Sequence, residues 1–494
     1  MHHSPKTAQL RFDNSFQRLH KDFYTKVQPQ GLENPRLVSS NKALAGLLGL
    51  NSSENFSDSL LQAFSGNSQL PGSQPLAMAY SGHQFGAYNP QLGDGRGLLL
   101  GEVEALDTAG QSQRWDLHLK GAGKTPYSRM GDGRAVLRSS IREYLGSEAV
   151  FGLGIPSTRA ACVITSDTPV FRETEERGAT LLRVARSHVR FGSFELFHYT
   201  GRPQRVRELA DYVIERHFRD FTGEADKHEL LLREVVRRTA TLVAGWQAQG
   251  FAHGVLNSDN MSIVGDTFDF GPFAFLDDYQ PGLICNHSDH GGRYAFDQQP
   301  SIGLWNCHAL AQALTSLIPE DRIEAALELY RPALVSHYSA LMRRKLGLAT
   351  ELDEDQALVQ QLLHLLAAEG RDYSTFFRRL AEIQKDETTP PLRDDFVDRQ
   401  AFDNWFTLYR QRLHKEQQSD EQRLRAMHAI NPKYILRNYL AQQAIDAAVN
   451  DDDFSKVDKL LTLVQSPFDD HPGMEDYAKP APDWGKSLEI SCSS

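Results

Sequence analysis

Cysteine is scarce in this chain: four residues in 494, namely Cys162, Cys285, Cys307 and Cys492. So few cannot build a disulfide framework, and with no C-x-x-C pair a zinc ribbon or thioredoxin-like centre is excluded. Long apolar runs are missing as well. Leu362–Ala368, interrupted by a histidine, is typical of the best on offer, far short of the ~20 residues a membrane helix needs. Met1–Phe16 mixes charged residues and lacks an apolar core, so no secretory signal is expected. Positive charge is in deficit, 53 Lys and Arg against 64 Asp and Glu for a net −11, which argues against general nucleic-acid binding. There is no internal repeat. What remains is an ordinary globular composition, 40% hydrophobic and 24% charged, of a length that suggests about three domains. The expected location is the cytoplasm, with neither a membrane nor a nucleic acid as partner.

Charge is nevertheless uneven. Arg114–Gly146 holds seven Lys or Arg against three Asp or Glu, an island suited to a polyanion of limited size. On charge alone a solvated basic face is the simpler reading. Around it, Gly93-Asp94-Gly95-Arg96-Gly97 precedes Leu98-Leu99-Leu100, and Trp115, Leu117 and Leu119 alternate with Asp116, His118 and Lys120. That period of two predicts strands and puts Lys120 on the face opposite the apolar set. Leu137, Ile141, Leu145 and Ala149 then mark one stripe of a helix, stopped by Gly152, Gly154 and Pro156. A second helix is predicted over 228–248, and further ones over 306–317, 321–346, 355–368, 373–384 and 432–449. The last 44 residues begin with Asp451-Asp452-Asp453 and are expected to end in an extended Pro/Gly-rich tail. The order gives an α+β front half and a helical rear half.

Two apparent motifs fail. Gly121-Ala122-Gly123-Lys124-Thr125 resembles the end of a phosphate-binding loop, but the required first glycine is His118. Cys285, His287 and His290 lie within six residues, but no fourth ligand follows at zinc-site spacing. More promising is His253–Asn260, followed by a turn at Gly265-Asp266 and then Asp269-Phe270-Gly271. A hairpin turning at 264–266 would bring Asn260 and Asp269 together, with Asp259 beside them. These are hard oxygen ligands suited to Mg²⁺ shared with a phosphate, although Asn and Asp also favour turns for local reasons.

Order along the chain strengthens the ligand reading. Protein kinases use a Gly-rich loop, a strand lysine paired with a helix glutamate, a catalytic-loop asparagine and an Asp-Phe-Gly metal motif. Gly93–Gly97, Lys120, Glu143, Asn260 and Asp269-Phe270-Gly271 supply the same parts in the same order. Glu143 is about 200° round the helix from Ile141, off the apolar stripe and free to reach a cation. One part is absent: the kinase catalytic aspartate, five residues before the asparagine, is here Val255. Asp259 is the nearby carboxylate that could serve as base instead.

These stretches resemble the selenoprotein O family of pseudokinase-fold protein adenylyltransferases. The likeness runs through Tyr80–Gly86, Gly93–Gly97, Leu119–Arg129, Asp132–Glu143, His253–Asn260, Asp269–Pro272, Asn286–His290 and Asn431–Tyr434, nearly the whole chain. The resemblance implies a bilobal protein-kinase-like fold with a large helical C-terminal extension. Lobes are expected over 1–180 and 181–330, and the extension over 331–494. It implies ATP bound tail-inward, with AMP passing to Ser, Thr or Tyr hydroxyls of protein substrates and pyrophosphate released. By the same likeness Gly93, Gly95, Arg96, Asp132 and Gly133 line the nucleotide, and Lys120 contacts phosphate. Glu143 orients Lys120, and Arg183 and Arg190 hold the inner phosphates. Asn260 and Asp269 bind Mg²⁺, or Mn²⁺ as an alternative, and Asp259 is the catalytic base. Bacterial-type members can pair a C-terminal cysteine with one after Asp-Phe-Gly, here Cys492 and Cys285, which would make access redox-linked; two unpaired thiols are the alternative. From the residues alone, an inactive nucleotide-binding scaffold and a small-molecule phosphotransferase stay open.

Overall fold

The computed structural model describes residues 10–50, 56–106 and 110–488. It is a mixed α and β structure with a large helical part. The short N-terminal strands are β1 (Tyr24–Lys26), β2 (Arg36–Ser40) and β3 (Leu76–Met78). Between them lie helices α1 (Lys42–Leu47) and α2 (Asp58–Phe64). A hairpin of β4 (Gly82–Gln84) and β5 (Ala87–Asn89) stands apart as its own two-stranded sheet. The long strands follow: β6 (Gly97–Leu106), β7 (Ser112–Lys120), the short β8 (Ala135–Val136), β9 (Arg159–Phe171) and β10 (Glu175–Ala185). Helix α3 (Leu137–Gly152) runs between β8 and β9. The main sheet is antiparallel, ordered β1-β3-β6-β7-β10-β9-β2, with β8 added to β10.

Register carries the sequence alternation into three dimensions. Lys120 is opposite Gly97 on β6 and Leu181 on β10, and His118 is opposite Arg183. Directly opposed residues share a face, so His118, Lys120 and Arg183 project together. Leu98, Leu100, Leu117, Leu119, Leu182 and Val184 take the other face and pack with Leu44, Leu48 and Phe64. Helix α3 lies on the Lys120 face and is buried almost throughout, Ser140 to Val150 without interruption.

The helical part comprises α4 (Phe191–Tyr199), α5 (Pro203–His217), α6 (Lys227–Gln249), α7 (Gln299–Ala313), α8 (Glu320–Leu327) and α9 (Tyr330–Lys345). It continues with α10 (Asp355–Glu369), α11 (Tyr373–Leu380), α12 (Arg399–Leu413), α13 (Asp420–His428), α14 (Asn438–Asn450), α15 (Ser455–Gln465) and α16 (Asp483–Lys486). Helix α6 joins three cores, one through Leu231, Leu232, Val235 and Val236, a second through Leu242, Val243 and Trp246, and a third through Ala248. No helix among the described residues is long and apolar enough to cross a membrane.

Three departures from the sequence reading stand out. The helix expected over 321–346 is two, α8 and α9, and the one expected from 432 starts at Asn438. Residues 261–268 form no hairpin ladder; they turn at Gly265 and make single bridges elsewhere, Ser262 to Arg190 and Thr267 to Ser157. The loops are joined at their roots instead, by β11 (Phe251–Ala252) pairing with β12 (Ala274–Phe275). Within the acidic final stretch, α15 presents Val457, Leu460, Leu461 and Val464 to the core that holds α3. A Cβ at Gly152, the last residue of α3, would come within 1.9 Å of the Val464 carbonyl, so the C-terminal region braces α3 closely.

One core residue carries an unpaired charge. Lys345 is buried with its ammonium 4.6 Å from the Phe377 ring centre and 3.4 Å from Gln249 Oε1. Burial pulls its pKa down to about 7, against 10.5 when unfolded. Between those values the unfolded chain holds a proton that the folded protein does not, so stability rises with pH from about 7 to about 10. Replacing Lys345 by Met should raise the melting temperature at pH 7 and flatten that rise, as followed by thermal unfolding across the pH range.

Candidate active site

A cavity of about 540 Å³ opens between the Lys120 face of the sheet, the Gly-rich loop and the loops after α6. Gly93, Gly95, Arg96, Lys120, Asp132, Gly133, Glu143, Arg183, Arg190, Asp259, Asn260 and Asp269 all line it. Twelve positions spread over nearly 180 residues of sequence thus meet on one concave surface. Val255, His118, Tyr80 and Gln84 share its walls.

Its buried end is an alternation of charges. Lys120, Arg183 and Arg190 are 3%, 7% and 3% exposed. Glu143 reaches both neighbours: one oxygen pairs with the Lys120 ammonium, and the other accepts from Arg183 Nε at 2.5 Å. Asp269 accepts from Arg183 Nη2 at 2.9 Å and from Arg190 Nη1. The Arg190 guanidinium also lies over the rings of Tyr80 and Phe268, at 4.5 and 4.7 Å, and donates to the Asp259 carbonyl at 2.6 Å. Burial works against the charge on Glu143 and Asp269, but the flanking cations outweigh it and hold both carboxyls well below their usual range. Burial dominates at Lys120, lowering its pKa to about 8 although Glu143 opposes the shift.

The Gly-rich loop is fastened from behind. Asp94 Oδ2 accepts from the Met78 amide at 3.0 Å and lies 3.2 Å from His118 Nε2. Thr125 Oγ1 donates to the Asp94 carbonyl and Ser128 Oγ to the Gly95 carbonyl, at 2.7 and 2.5 Å. Gly93 has φ +118°, and a Cβ there would sit 2.5 Å from the Tyr127 ring. At the open rim, Arg96 and Asp132 are exposed, and Asp132 pairs with Arg172 at 2.8 Å.

The loops after α6 form the opposite wall. His253 ties them together through Nε2 and the Phe268 carbonyl, 3.0 Å apart. Asn260 donates through Nδ2 to the Val255 carbonyl at 3.0 Å, which turns its amide oxygen away from that bond. Asp269 holds φ +60°, a conformation uncommon outside glycine, while Phe270 packs into the core with Phe251 and Phe273. Strain of this kind persists only where surrounding structure enforces it, and here the two arginines do so. Asp259 is 6% exposed; burial raises its pKa to about 7, with Arg190 and Gln84 pulling the other way.

An amide oxygen and a carboxylate on one wall are hard donors that fit a divalent cation sharing phosphate oxygens. No group of three or more His, Cys, Asp or Glu among the described residues could hold a metal by itself, so phosphate and water would complete the shell. The supposed redox pair is half visible. Cys285 is partly buried with its thiol pushed up to about 12 by burial, and it lines a separate cavity with Gly485–Leu488 of the tail. Cys492 lies outside the described residues. Cys162 and Cys307 are core residues.

Several wall residues carried no sequence signal as site residues. Arg172 meets Asp132 from 40 positions away, and Tyr80 and His118 act through ring contacts and a loop anchor that no local spacing announces.

Buried cations facing a Gly-rich loop and hard oxygen donors define a nucleotide-dependent transferase. Comparison with known proteins narrows the class. The profile of the family "Protein adenylyltransferase SelO" matches residues 6–465. The chain is 56% identical over 483 residues to the "Protein nucleotidyltransferase YdiU" of Pectobacterium atrosepticum, covering 98% of this chain and 99% of that one. Proteins of the same name from Pseudomonas fluorescens Pf-5 and Yersinia pseudotuberculosis IP 31758 are 55% and 54% identical, over 98% of this chain and 99% of theirs. This chain belongs to the SelO protein adenylyltransferase family.

Were Lys120 to contact phosphate it would do so in its protonated form, and kcat/KM for ATP should then fall as pH rises through about 8. Glu143→Gln removes the carboxylate that favours the charged amine, so it should move that fall to lower pH. It should also reduce kcat/KM at pH 7.5 by on the order of tenfold or more. Initial rates of nucleotide transfer across pH 6.5–9.5 test both expectations.

Proposed function

We propose that this protein transfers AMP from ATP to Ser, Thr or Tyr hydroxyls of protein substrates in the cytoplasm, with ATP seated terminal phosphate inward. Its family membership makes it a protein adenylyltransferase with ATP and proteins as substrates. The orientation rests on one observation: the three buried cations, Lys120, Arg183 and Arg190, gather at the closed end of the cavity, whereas Arg96 and Asp132 stand at its rim. A triphosphate carries its densest charge at the terminal end, and dry cations bind charge more strongly than wet ones. Arginine adds permanent charge and paired donors. The inward tail leaves the α-phosphorus nearer the opening, where a protein hydroxyl can approach.

In this reading Gly93, Gly95, Arg96, Asp132 and Gly133 line the nucleotide, and Glu143 fixes Lys120 and Arg183 against each other. Asn260 and Asp269 would hold Mg²⁺, or Mn²⁺ as an alternative. A bound divalent ion would offset phosphate charge beside the leaving group. Asp259 takes the proton as the acceptor oxygen bonds to the α-phosphorus. The bond between that phosphorus and the bridging oxygen then breaks and pyrophosphate departs. A buried carboxylate with a raised pKa suits proton acceptance near neutrality. Val255, apolar at the position where kinases place their base, supports assigning this role to Asp259. The main sheet with α3 and the helices from α4 onward support a kinase-like division into lobes near residues 180 and 330, followed by the extension. A Cys285–Cys492 disulfide would tether the tail near the loop after Asp269, and non-reducing peptide mapping of the oxidised protein tests it.

Incubation with ATP labelled at the α- or the γ-phosphate separates the reactions. The expected result is α-label on protein, abolished by Asp269→Ala and by chelation of divalent ions. Lys120→Ala should reduce it by about 100-fold, the scale of losing one preorganised electrostatic contact. Transfer of γ-label would show a kinase, and retention of neither label a scaffold.

A further inference from the structure

The β4–β5 hairpin is a small sheet of its own, yet its first strand meets the loop that carries Asp259 at three successive residues, Gly82, His83 and Gln84, and is anchored to α4 just before them. The Ser81 amide, just before β4, donates to the Gly192 carbonyl of α4 at 3.1 Å. Gly82 approaches so closely that a Cβ there would lie 2.8 Å from Asp259 Cβ and 3.0 Å from Asp259 Oδ1. The His83 amide donates to Ser258 Oγ at 2.7 Å. Gln84 Nε2 donates to Asp259 Oδ2 at 3.1 Å, and its own Oε1 accepts from Asn89 Nδ2 at 3.3 Å.

The tip of the hairpin is held just as firmly. Phe85 and Gly86 have φ +50° and +83°, the paired left-handed values of a two-residue turn. A bulky side chain is strained in that conformation. The Phe85 amide is fixed by Tyr294 Oη at 2.8 Å, and Tyr294 in turn donates to Asn257 Oδ1 at 2.5 Å. The hairpin therefore cannot tilt without disturbing residues 257–259.

We infer that Gln84 is a positioning residue for AMP transfer: oriented by Asn89, it fixes the rotation of the Asp259 carboxylate against Gly82. The Asn89 bond decides which end of the Gln84 amide faces Asp259; reversing it would set two oxygens against each other. Among the described residues Gln84 is the one side chain that hydrogen-bonds the Asp259 carboxylate, while Asp259 Oδ1 has no hydrogen-bond partner. A carboxylate oxygen has two acceptor directions, so Gln84 occupies one on Oδ2 and leaves the other for an acceptor hydroxyl. Without this bond the carboxylate can rotate and the geometry of proton transfer is lost, whereas Lys120, Arg183 and Arg190, to which Gln84 makes no hydrogen bond among the described residues, keep their carboxylate partners. This inference rests on Asp259 acting as base.

The test compares Gln84→Leu, Gln84→Glu and Asp259→Asn in the full-length protein, using α-labelled ATP and a fixed acceptor protein. Gln84→Glu keeps the size and the Asn89 contact but loses the donor, and it serves if the leucine variant does not fold. Both Gln84 variants should lower kcat by about 10- to 100-fold, the scale for misplacing a reacting group by ~1 Å. Their ATP KM, and their affinity for a non-hydrolysable ATP analogue, should stay within about twofold of native. A kcat within about twofold of native, or a loss lying wholly in ATP affinity, overturns the inference. If Asp259→Asn is inactive while the Gln84 variants are normal, positioning fails and the base reading stands. If Asp259→Asn transfers AMP at the native rate, both fail.

Discussion

Burying three cations side by side, as this fold does, carries a heavy desolvation cost. Lys120, Arg183 and Arg190 stay charged in a dry recess because Glu143 and Asp269 are interleaved between them, each carboxylate serving two cations. Removing a partner from such an array leaves an uncompensated buried charge, which is far more costly than exchanging the whole array for apolar residues. The arrangement is thus poor value for stability alone. In the function proposed above, its use is to offer a polyphosphate a preorganised set of donors that needs little rearrangement at the moment of binding.

Much of the surrounding architecture keeps Glu143 in place. Helix α3 is buried on every side, with the sheet face on one flank and α14 and α15 on another. Gln465, at the end of α15, donates to Glu148 Oε2 at 2.8 Å, and Asp458 accepts from Ser39 Oγ at 2.6 Å. A stretch that reads as an acidic tail thus fixes the helix bearing the central carboxylate. Opposite, the β11–β12 pair and the His253–Phe268 bond set the spacing of the two loops, so that Asp269 reaches the arginines from a strained backbone.

Regular elements were legible where burial has one period. Alternation on β7 placed Lys120 opposite Leu117 and Leu119, and the four-residue stripe on α3 left Glu143 free to turn toward the sheet. The short segments were not legible. Residues 261–268 satisfy their backbone by single bridges to the connecting segments around Ser157 and Arg190 rather than by a local ladder, so the turn at Gly265-Asp266 is not the tip of a hairpin. The amphipathic stripe of α15 was hidden by the acidic residues around it, because its apolar side chains gain their meaning only against α3. The fine structure of the site was equally silent. Gln84 reaches Asp259 across 175 positions, and no spacing rule spans such a distance.

The amino-acid sequence by itself determined which chemical groups are available and their order: a flexible glycine loop, one strand lysine, one helix glutamate, an amide, and a carboxylate before Phe270. These follow from local periodicity and side-chain chemistry, which act over a few residues. Tertiary structure alone decided their state. Which cations are dry, which carboxylates they share, and which oxygen of Asp259 is held depend on desolvation and on contacts between distant segments. Such energies exist only once the chain has closed around them.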